Sequence, residues 1–492
     1  MLTRLLEVGF IAGRDRLAAS HGEIGRIDIP GRVVFAARDC PATKHPAASG
    51  RGSGGVRYDP RRMSTESSEL IVQKFGGSSL GEASRIRRVA QRIARARASG
   101  SELVVIVSAM GDTTDELLQL AAAITDDPDP RELDMLLATG EHQSATLVSM
   151  ALHALGVKAI SLTGAQAGIT TDSSHGRARI ANVEPRRVRR ELDKGNVVIV
   201  AGFQGQRQDS ADEDGGPGET TTLGRGGSDT TAVALAAALR AGRCQIFSDV
   251  RGIYTADPRL VADARQLSTI GYEEMLELAQ QGAQVMQVRA VELGWINDVE
   301  IEVLSSFEDA PGTLIREDPL VEQRNKVRGL AHDRNVAKVT LLAVPDRPGI
   351  ARGVFGPLAD AGVIVDMIVQ NVGHDGATDI SFTVPRVDLA KAERVLKPVV
   401  EEMGARGITT DPTVAKVSIV GAGLHNAPGY AARMFGTLAD AGVNIEMIST
   451  SEVRITCVIG EAGLSKALEA LHGAFELERP DPVDVEAAAV RQ

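Results

Sequence analysis

Three turns in this 492-residue chain carry residues whose types and spacing could do chemistry, and each follows a short apolar run. The first is Lys74-Phe75-Gly76-Gly77-Ser78-Ser79-Leu80. Paired glycines let successive backbone N–H groups face a phosphate without Cβ interference, and a helix behind them adds its positive end. A lysine at the strand end can reach a transferring phosphoryl group and offset the charge spreading over its oxygens. The pattern is not a Walker A loop, because the lysine precedes the glycines. The second turn, TTTLGRGGSDTTA from Thr220 to Ala232, sets Arg225 between Gly224 and Gly226. A guanidinium so exposed offers a bidentate grip for a carboxylate. Asp229 falls in the first turn of the following helix, where it is readable as a plain cap. The third, SDVRGIYTADPR from Ser248 to Arg259, supplies Asp249, Tyr254 and Arg259. Taken singly, each of the three is also readable as an ordinary structural turn.

The elements that must position these turns alternate. Apolar runs at 70–72, 103–107, 159–162, 197–200 and 244–247 read as buried strands, with helical stretches at 84–98, 133–155 and 230–240 between them. Such alternation predicts an α/β fold with a mostly parallel sheet covered by helices on both faces. The acidic, Gly-rich insert 206–218 suits an exposed hairpin or lid. Past about residue 316 the chain repeats itself. Val336-Ala-Lys-Val and Val414-Ala-Lys-Val each start a strand, Pro348-Gly349 and Pro428-Gly429 each open a helix, and FGPLADAG (355–362) matches FGTLADAG (435–442). Strands are expected to close these halves at 363–369 and 443–449. The division that follows is a leader at 1–68, a catalytic body at 69–315, a linker at 316–330, and two small α+β modules at 331–411 and 412–492.

Length predicts about three compact units, and 43% hydrophobic with 24% charged residues is ordinary for a globular chain. A net charge of -11 argues against nucleic-acid binding as the main task, since gripping phosphates needs a basic face. Cys40, Cys244 and Cys457 have no paired spacing, so neither a disulfide framework nor a zinc cluster is expected, and a reducing cytoplasm fits best. No apolar run approaches the roughly 20 residues of a membrane span. Residues 1–68 lack periodicity and are rich in Gly, Pro, Ser and Arg over 41–62, which reads as a disordered leader or a start placed before the true one at Met63.

KFGGSSL, SAMGDTTDEL (108–117), TTLGRGGSDTTA and SDVRGIYTADPR, in this order and followed by a duplicated module, closely resemble the aspartate kinase family over roughly residues 70–490. The resemblance implies an amino acid kinase α/β/α sandwich followed by two ferredoxin-like ACT domains. It also implies transfer of the ATP γ-phosphoryl to the side-chain carboxylate of L-aspartate, the first step toward lysine, threonine, methionine and diaminopimelate. Carried over by residue, it puts Lys74, Phe75, Gly76, Gly77, Ser78, Ser108, Ser248, Asp249, Tyr254, Asp257 and Arg259 around ATP. Lys74 and Asp229 become the catalytic pair, with Asp229 orienting the lysine. Aspartate falls to Arg225 on a carboxylate, Glu141 on the ammonium, Thr113 and Thr114 through hydroxyls, and Gly226, Gly227 and Ser228 near the reacting end. No general base is needed, because a carboxylate of pKa about 3.9 is already an anionic nucleophile. Magnesium is expected to arrive on the ATP phosphates, for the chain carries no dedicated cage of ligands.

The chain departs from the family at three places: Gln284 stands where a phosphate-contacting lysine is usual, and Leu304 and His142 stand where arginines are expected. For the modules, the resemblance implies an amino-acid effector held by Asp346, Gly349, Ile350 and Ala351 at the Pro-Gly turn. Asp366 and Gln370 would serve its amine or side chain, and Asn444 and Ile445 would meet them across the pair. Lysine, with threonine acting jointly, is the effector the family suggests. A homo-oligomer through the ACT domains is implied, with room for a shorter regulatory subunit from the same gene. Another carboxylate kinase of the same fold, and a non-catalytic amino-acid sensor, stand as the alternatives.

Overall fold

The computed structural model describes residues 69–207, 218–283, 285–317, 326–371, 376–424 and 428–480, all within one unit, Thr65–Gln492. The leader, most of the acidic insert, most of the linker and Gln284 lie outside the described residues.

The part before the repeats runs β1 (Leu70–Phe75), α1 (Gly77–Leu80), α2 (Ala83–Ala98), β2 (Glu102–Val107), α3 (Thr113–Ile124), α4 (Pro130–Ala154), β3 (Ala159–Leu162), β4 (Ile169–Thr171), β5 (Ile180–Val183), α5 (Arg186–Asp193), β6 (Val197–Ala201), β7 (Gln204–Arg207), β8 (Thr220–Thr222), α6 (Gly227–Leu239), β9 (Arg243–Ser248), β10 (Thr269–Ile270), α7 (Tyr272–Gln280), α8 (Val288–Ile296), β11 (Ile301–Ser305) and β12 (Thr313–Ile315). Its main sheet has the order β10-β12-β11-β9-β1-β2-β6-β3. Every pairing is parallel except β11 with β12. Parallel strands covered on both faces must be apolar throughout, which is why VVIVA of β6 is buried at every residue. On one face α2 buries Ile86, Val89, Ala90 and Ile93, a helical stripe, against Val105 and Phe75. On the other lies α6, an alanine-rich helix with every residue but Ala237 and Ala238 buried, which its small side chains permit. A second sheet, β5-β4-β7-β8, flanks the first.

The glycine turn after β1 leads into the single turn α1, and the long helix α2 starts only at Ala83. The positive end expected immediately behind the glycines therefore belongs to one short turn. Helix α4 is stopped at its start by Asp129, whose carboxylate accepts from the N–H of Arg131 and Glu132, with Pro130 in the first turn.

The repeats form β13 (Gly329–Asp333), β14 (Ala337–Pro345), α9 (Ile350–Asp360), β15 (Ile368–Gln370), β16 (Ala377–Val384), α10 (Leu389–Met403), β17 (Gly407–Asp411), β18 (Val414–Val420), α11 (Tyr430–Asp440), β19 (Ile445–Thr450), β20 (Arg454–Gly460) and α12 (Leu464–Ala474). The two sheets are β15-β16-β14-β17 and β13-β18-β20-β19. Two expectations need correction. Residues 331–333, placed in the first module, pair instead with β18 of the second, Asp333 opposite Lys416. The reason lies in the free edges: β17 fills the place beside β14, Lys338 opposite Asp411, and leaves β18 to take β13. The first module is thus inserted between the edge strand and the remainder of the second. The strand expected over 363–369 is short, because Thr383 takes the Met367 N–H with its hydroxyl, and regular pairing begins only at Ile368.

Among the described residues no helix is long and apolar enough to cross a membrane.

Candidate functional site

Strand β1 is the point where the sheet order turns, with β2 on one side and β9 on the other. In open α/β sheets the crevice outside the carboxyl ends at such a point receives ligands. The first and second chemistry-bearing turns meet there, and the third leaves the end of β9 beside them. Lys74, near the end of β1, places its ammonium 2.6 Å from Oδ1 of Asp229 in the first turn of α6, and the two side chains are 13% and 10% exposed. Asp229 makes no capping bond to its helix, whose N-cap is Gly226 in the left-handed region at φ 75°. The carboxylate faces the lysine rather than closing the helix.

The glycine turn is held against the loop after β2. A Cβ on Gly77 would lie 2.8 Å from the carbonyl oxygen of Ala109 and 3.0 Å from that of Gly111, so no larger residue fits. Gly111 N–H donates to the Gly77 carbonyl at 3.0 Å, and Ser108 N–H to that of Phe75 at 3.1 Å. Beneath the turn, Phe75 stacks on Phe247 at 4.6 Å between centroids. Gly76 N–H donates to the Phe247 carbonyl, and the Ser78 carbonyl accepts from Arg85. Leu304 joins the apolar cluster of Phe75 and Phe247, so this position adds packing where a charge was expected.

Arg225 is 93% exposed, with Asp115 of α3 at 3.4 Å as its ion-pair partner. Its backbone is fixed by Gln287, whose amide donates to the Arg225 carbonyl at 2.9 Å, while a Cβ on Gly226 would strike Gln287. Thr113 and Thr114 open α3 on the same rim. Gly227 and Ser228 are buried, and a Cβ on Gly202 would come within 2.7 Å of the serine hydroxyl. Glu141 is buried in α4: its Oε1 accepts from Ala109 N–H at 3.1 Å, and its Oε2 has no partner. Loss of hydration pushes its pKa up to about 7. His142 turns away to Gln204, Nε2 to Oε1 2.7 Å.

In the third turn, the Ser248 hydroxyl donates to Asp249 at 3.0 Å, Arg259 clasps Asp257 at 2.8 Å, and Tyr254 bridges to Gln266. Asp257 is held below the usual carboxylate range by that arginine. Gln284 lies outside the described residues.

Asp134 was not anticipated. This buried carboxylate accepts from Gly176 N–H and Thr222 N–H at 3.1 Å and from His175 Nδ1 at 2.8 Å, tying β8 and its arginine turn to α4. The available signal was its place seven residues before Glu141, on the same face of one helix.

In the modules, Gly349 has φ 94° at the start of α9, where Ile350 is buried and Ala351 exposed. Asp346 N–H donates to the Gly376 carbonyl. Asp366 pairs with Lys416 of the second repeat, and Lys338 pairs with Glu446 at 3.0 Å. These positions correspond between repeats, so the modules meet about a local twofold, with Val336, Val414, Met367 and Met447 in one apolar cluster between them. Gln370, at the end of edge strand β15, and Asn444, just before β19, are exposed. Ile445 opens β19 beside Glu446. Among the described residues no cluster of three or more His, Cys, Asp or Glu could hold a metal ion.

Residues 69–304 match the amino acid kinase family, and 338–401 and 417–475 each match the ACT domain. An aspartate kinase of Stutzerimonas stutzeri is 50% identical over 413 residues, covering 84% of this chain and 98% of that protein. An aspartokinase of Corynebacterium glutamicum is 50% identical over 427 residues, 86% of this chain and 100% of that protein. The crystal structure of E. coli aspartokinase III in complex with aspartate and ADP superposes with a TM-score of 0.68 at 26% identity, covering 82% of this chain and 99% of that one. The same enzyme in complex with lysine and aspartate gives 0.65 at 26% identity, covering 83% and 100%. With relatives this similar along almost their whole length, the chain belongs to the aspartate kinase family.

Proposed function

We propose that this protein phosphorylates the side-chain carboxylate of L-aspartate with ATP, yielding ADP and 4-phospho-L-aspartate. The buried Lys74–Asp229 pair at the sheet's switch point carries this reading. Asp229 fixes the lysine where the γ-phosphoryl passes, and the ammonium offsets charge on its oxygens as the bond to the β-phosphate loosens. The substrate carboxylate attacks as an anion, so no base is required. The glycine turn 76–78 takes the phosphates with Phe75 backing it from beneath, and Ser108, Ser248, Asp249, Tyr254, Asp257 and Arg259 lie around the nucleotide. Magnesium would arrive bound to ATP and would supply positive charge at the phosphates, since among the described residues no cluster of carboxylates is set apart to hold it.

Aspartate lies between Arg225, which takes a carboxylate, and Glu141, whose unpartnered Oε2 takes the ammonium. Thr113, Thr114, Gly226, Gly227 and Ser228 close around it. The exposure of Arg225 and its single partner at 3.4 Å fit a group that tightens when substrate arrives. The product is an activated acid suited to entry into lysine, threonine and methionine synthesis.

The tandem modules regulate this activity by binding lysine, with threonine acting jointly, at Asp346, Gly349, Asp366, Gln370, Asn444 and Ile445. Edge strands β15 and β19, with Ile368 and Ile448 exposed, support assembly with a second copy through the modules. An ATP-dependent hydroxamate assay with aspartate, glutamate and acetylglutamate tests the whole reading. Turnover of aspartate alone is expected, and turnover of another acid in its place would assign a different carboxylate kinase.

A further inference from the structure

The turn 254–259 is fastened from outside the kinase part. Thr255 N–H donates to the Arg265 carbonyl at 2.9 Å, and its hydroxyl oxygen accepts from Arg265 N–H at 2.9 Å, which closes the loop on itself. Its two other partners belong to the second regulatory module. The Thr255 carbonyl accepts from Leu330 N–H of β13 at 2.7 Å, and its hydroxyl lies 2.9 Å from Nε2 of His472 on α12. Ala256 and Val261, on either side of Asp257 and Arg259, are buried in that module's hydrophobic cluster with Leu471 and Phe475. The first module has no such hold: among the described residues its hydrophobic cluster is made of its own side chains.

His472 is 2% exposed, too deep to serve as a surface contact. Burial pushes its pKa below the usual range and outweighs Glu478 and Asp263, which favour the charged form; Arg265 adds to the lowering. As a neutral ring with Nδ1 protonated, it leaves Nε2 to accept the Thr255 O–H, whose oxygen already accepts from Arg265. A buried hydroxyl satisfied in this way has one orientation, and the backbone on both sides of it is fixed.

We propose that His472 is a positioning residue for the phosphoryl donor: from the second regulatory module, and through the Thr255 hydroxyl, it sets the place of Tyr254, Asp257 and Arg259. This rests on the reading of 254–259 as a nucleotide contact. The second regulatory module is then a structural part of the ATP site, and a ligand that shifts α12 relative to the sheet moves that site directly.

The test uses the full chain with MgATP and aspartate. His472→Ala and Thr255→Val each raise KM for ATP by about three- to tenfold, the range of one neutral hydrogen bond, with KM for aspartate within about twofold. The double variant is no worse than the poorer single, as expected of partners in one contact. His472→Gln, whose amide reaches the position of Nε2, restores KM for ATP. Hydrogen exchange over 250–265 rises in His472→Ala. Where His472→Ala fails to fold, Thr255→Val and His472→Gln carry the comparison. Equal rises in both KM values, additive effects, or an unchanged KM for ATP in folded variants would overturn the proposal. Arg259→Ala separates the two layers: if it moves KM for ATP while Thr255→Val does not, positioning alone is wrong. If it leaves KM unchanged while exchange rises, the nucleotide reading of the loop falls as well.

Discussion

The ammonium of Lys74 and the carboxylate of Asp229 lie 2.6 Å apart, one near the end of β1 and the other in the first turn of α6. The pair lies at the carboxyl end of β1, where the sheet has β2 on one side and β9 on the other. Since Gly226 takes the N-cap with its backbone, Asp229 is released from capping and free to hold the lysine.

Replacing Lys74 by alanine should lower kcat by about a thousandfold or more while near-UV circular dichroism stays native, since the lysine stabilises moving charge rather than packing. Asp229→Asn should cost less, because the ammonium remains and only its orientation suffers. Wild-type turnover in Lys74→Ala, measured with saturating ATP and aspartate, would remove the pair from the mechanism.

Arg225 should act on substrate affinity alone. Its guanidinium is exposed, so Arg225→Ala leaves Tm unchanged, whereas KM for aspartate rises by about tenfold or more through loss of a charged hydrogen bond. The comparison needs kcat as well. A fall in kcat at unchanged KM would place the arginine on the transferring phosphoryl instead.

Glu141 ties stability to pH. Its pKa in the folded chain, about 7, stands above the ordinary 4.5, because burial disfavours the charged form. The folded state therefore holds this proton more tightly than the unfolded state. The stability it contributes is full below about pH 4.5 and is lost as pH rises through 7. Glu141→Gln should remove that loss, raising Tm relative to wild type at pH 8 by an amount that shrinks toward pH 5. The ceiling is about 3 kcal/mol. In wild type, aspartate should bind more weakly below pH 7, where the carboxyl is neutral, and Glu141→Gln should bind it weakly at every pH. A Tm difference independent of pH between 5 and 8 would show that Glu141 is ionised throughout.

What could be read before the structure, and what could not, follows from the range of the interactions. Strands such as VVIVA at 197–201 declare themselves, since only a strand buried on both faces is apolar at every position. Asp229 stayed ambiguous between cap and partner, as the left-handed turn at Gly226 that decides it depends on Gln287 sixty-one residues on. The placement of β13 was out of reach: GLAHD suits either module, and which edge stood free was decided by β17, more than seventy residues later. His472 hides for a similar reason, because its partner Thr255 lies 217 residues away. Asp134 was closer to legible, since a carboxylate sharing one helix face with Glu141 turns toward the same loops.

The last prediction concerns regulation and follows from the reciprocal pairs across the modules. Asp366, assigned to the effector's amine, is engaged by Lys416, whose side chain is buried, while the matching pair Lys338–Glu446 is partly exposed. An effector that claims Asp366 must displace or share it with a cation already in place, so Lys416 acts as a resident competitor. Lys416→Met keeps the apolar stem, removes the charge, and should lower the lysine concentration for half-inhibition several-fold. Lys338→Met, the counterpart on the other side of the local twofold, should leave that concentration unchanged. Coupling between regulatory and catalytic sites is typically worth about 1 to 3 kcal/mol, enough for inhibition from several-fold to a hundredfold. The measurement is activity against lysine and threonine, singly and together, for wild type and both variants. Equal shifts in the two variants would mean that the pairs only hold the modules together. Absence of inhibition in the wild type would leave the ACT pair to assembly and end the regulatory reading.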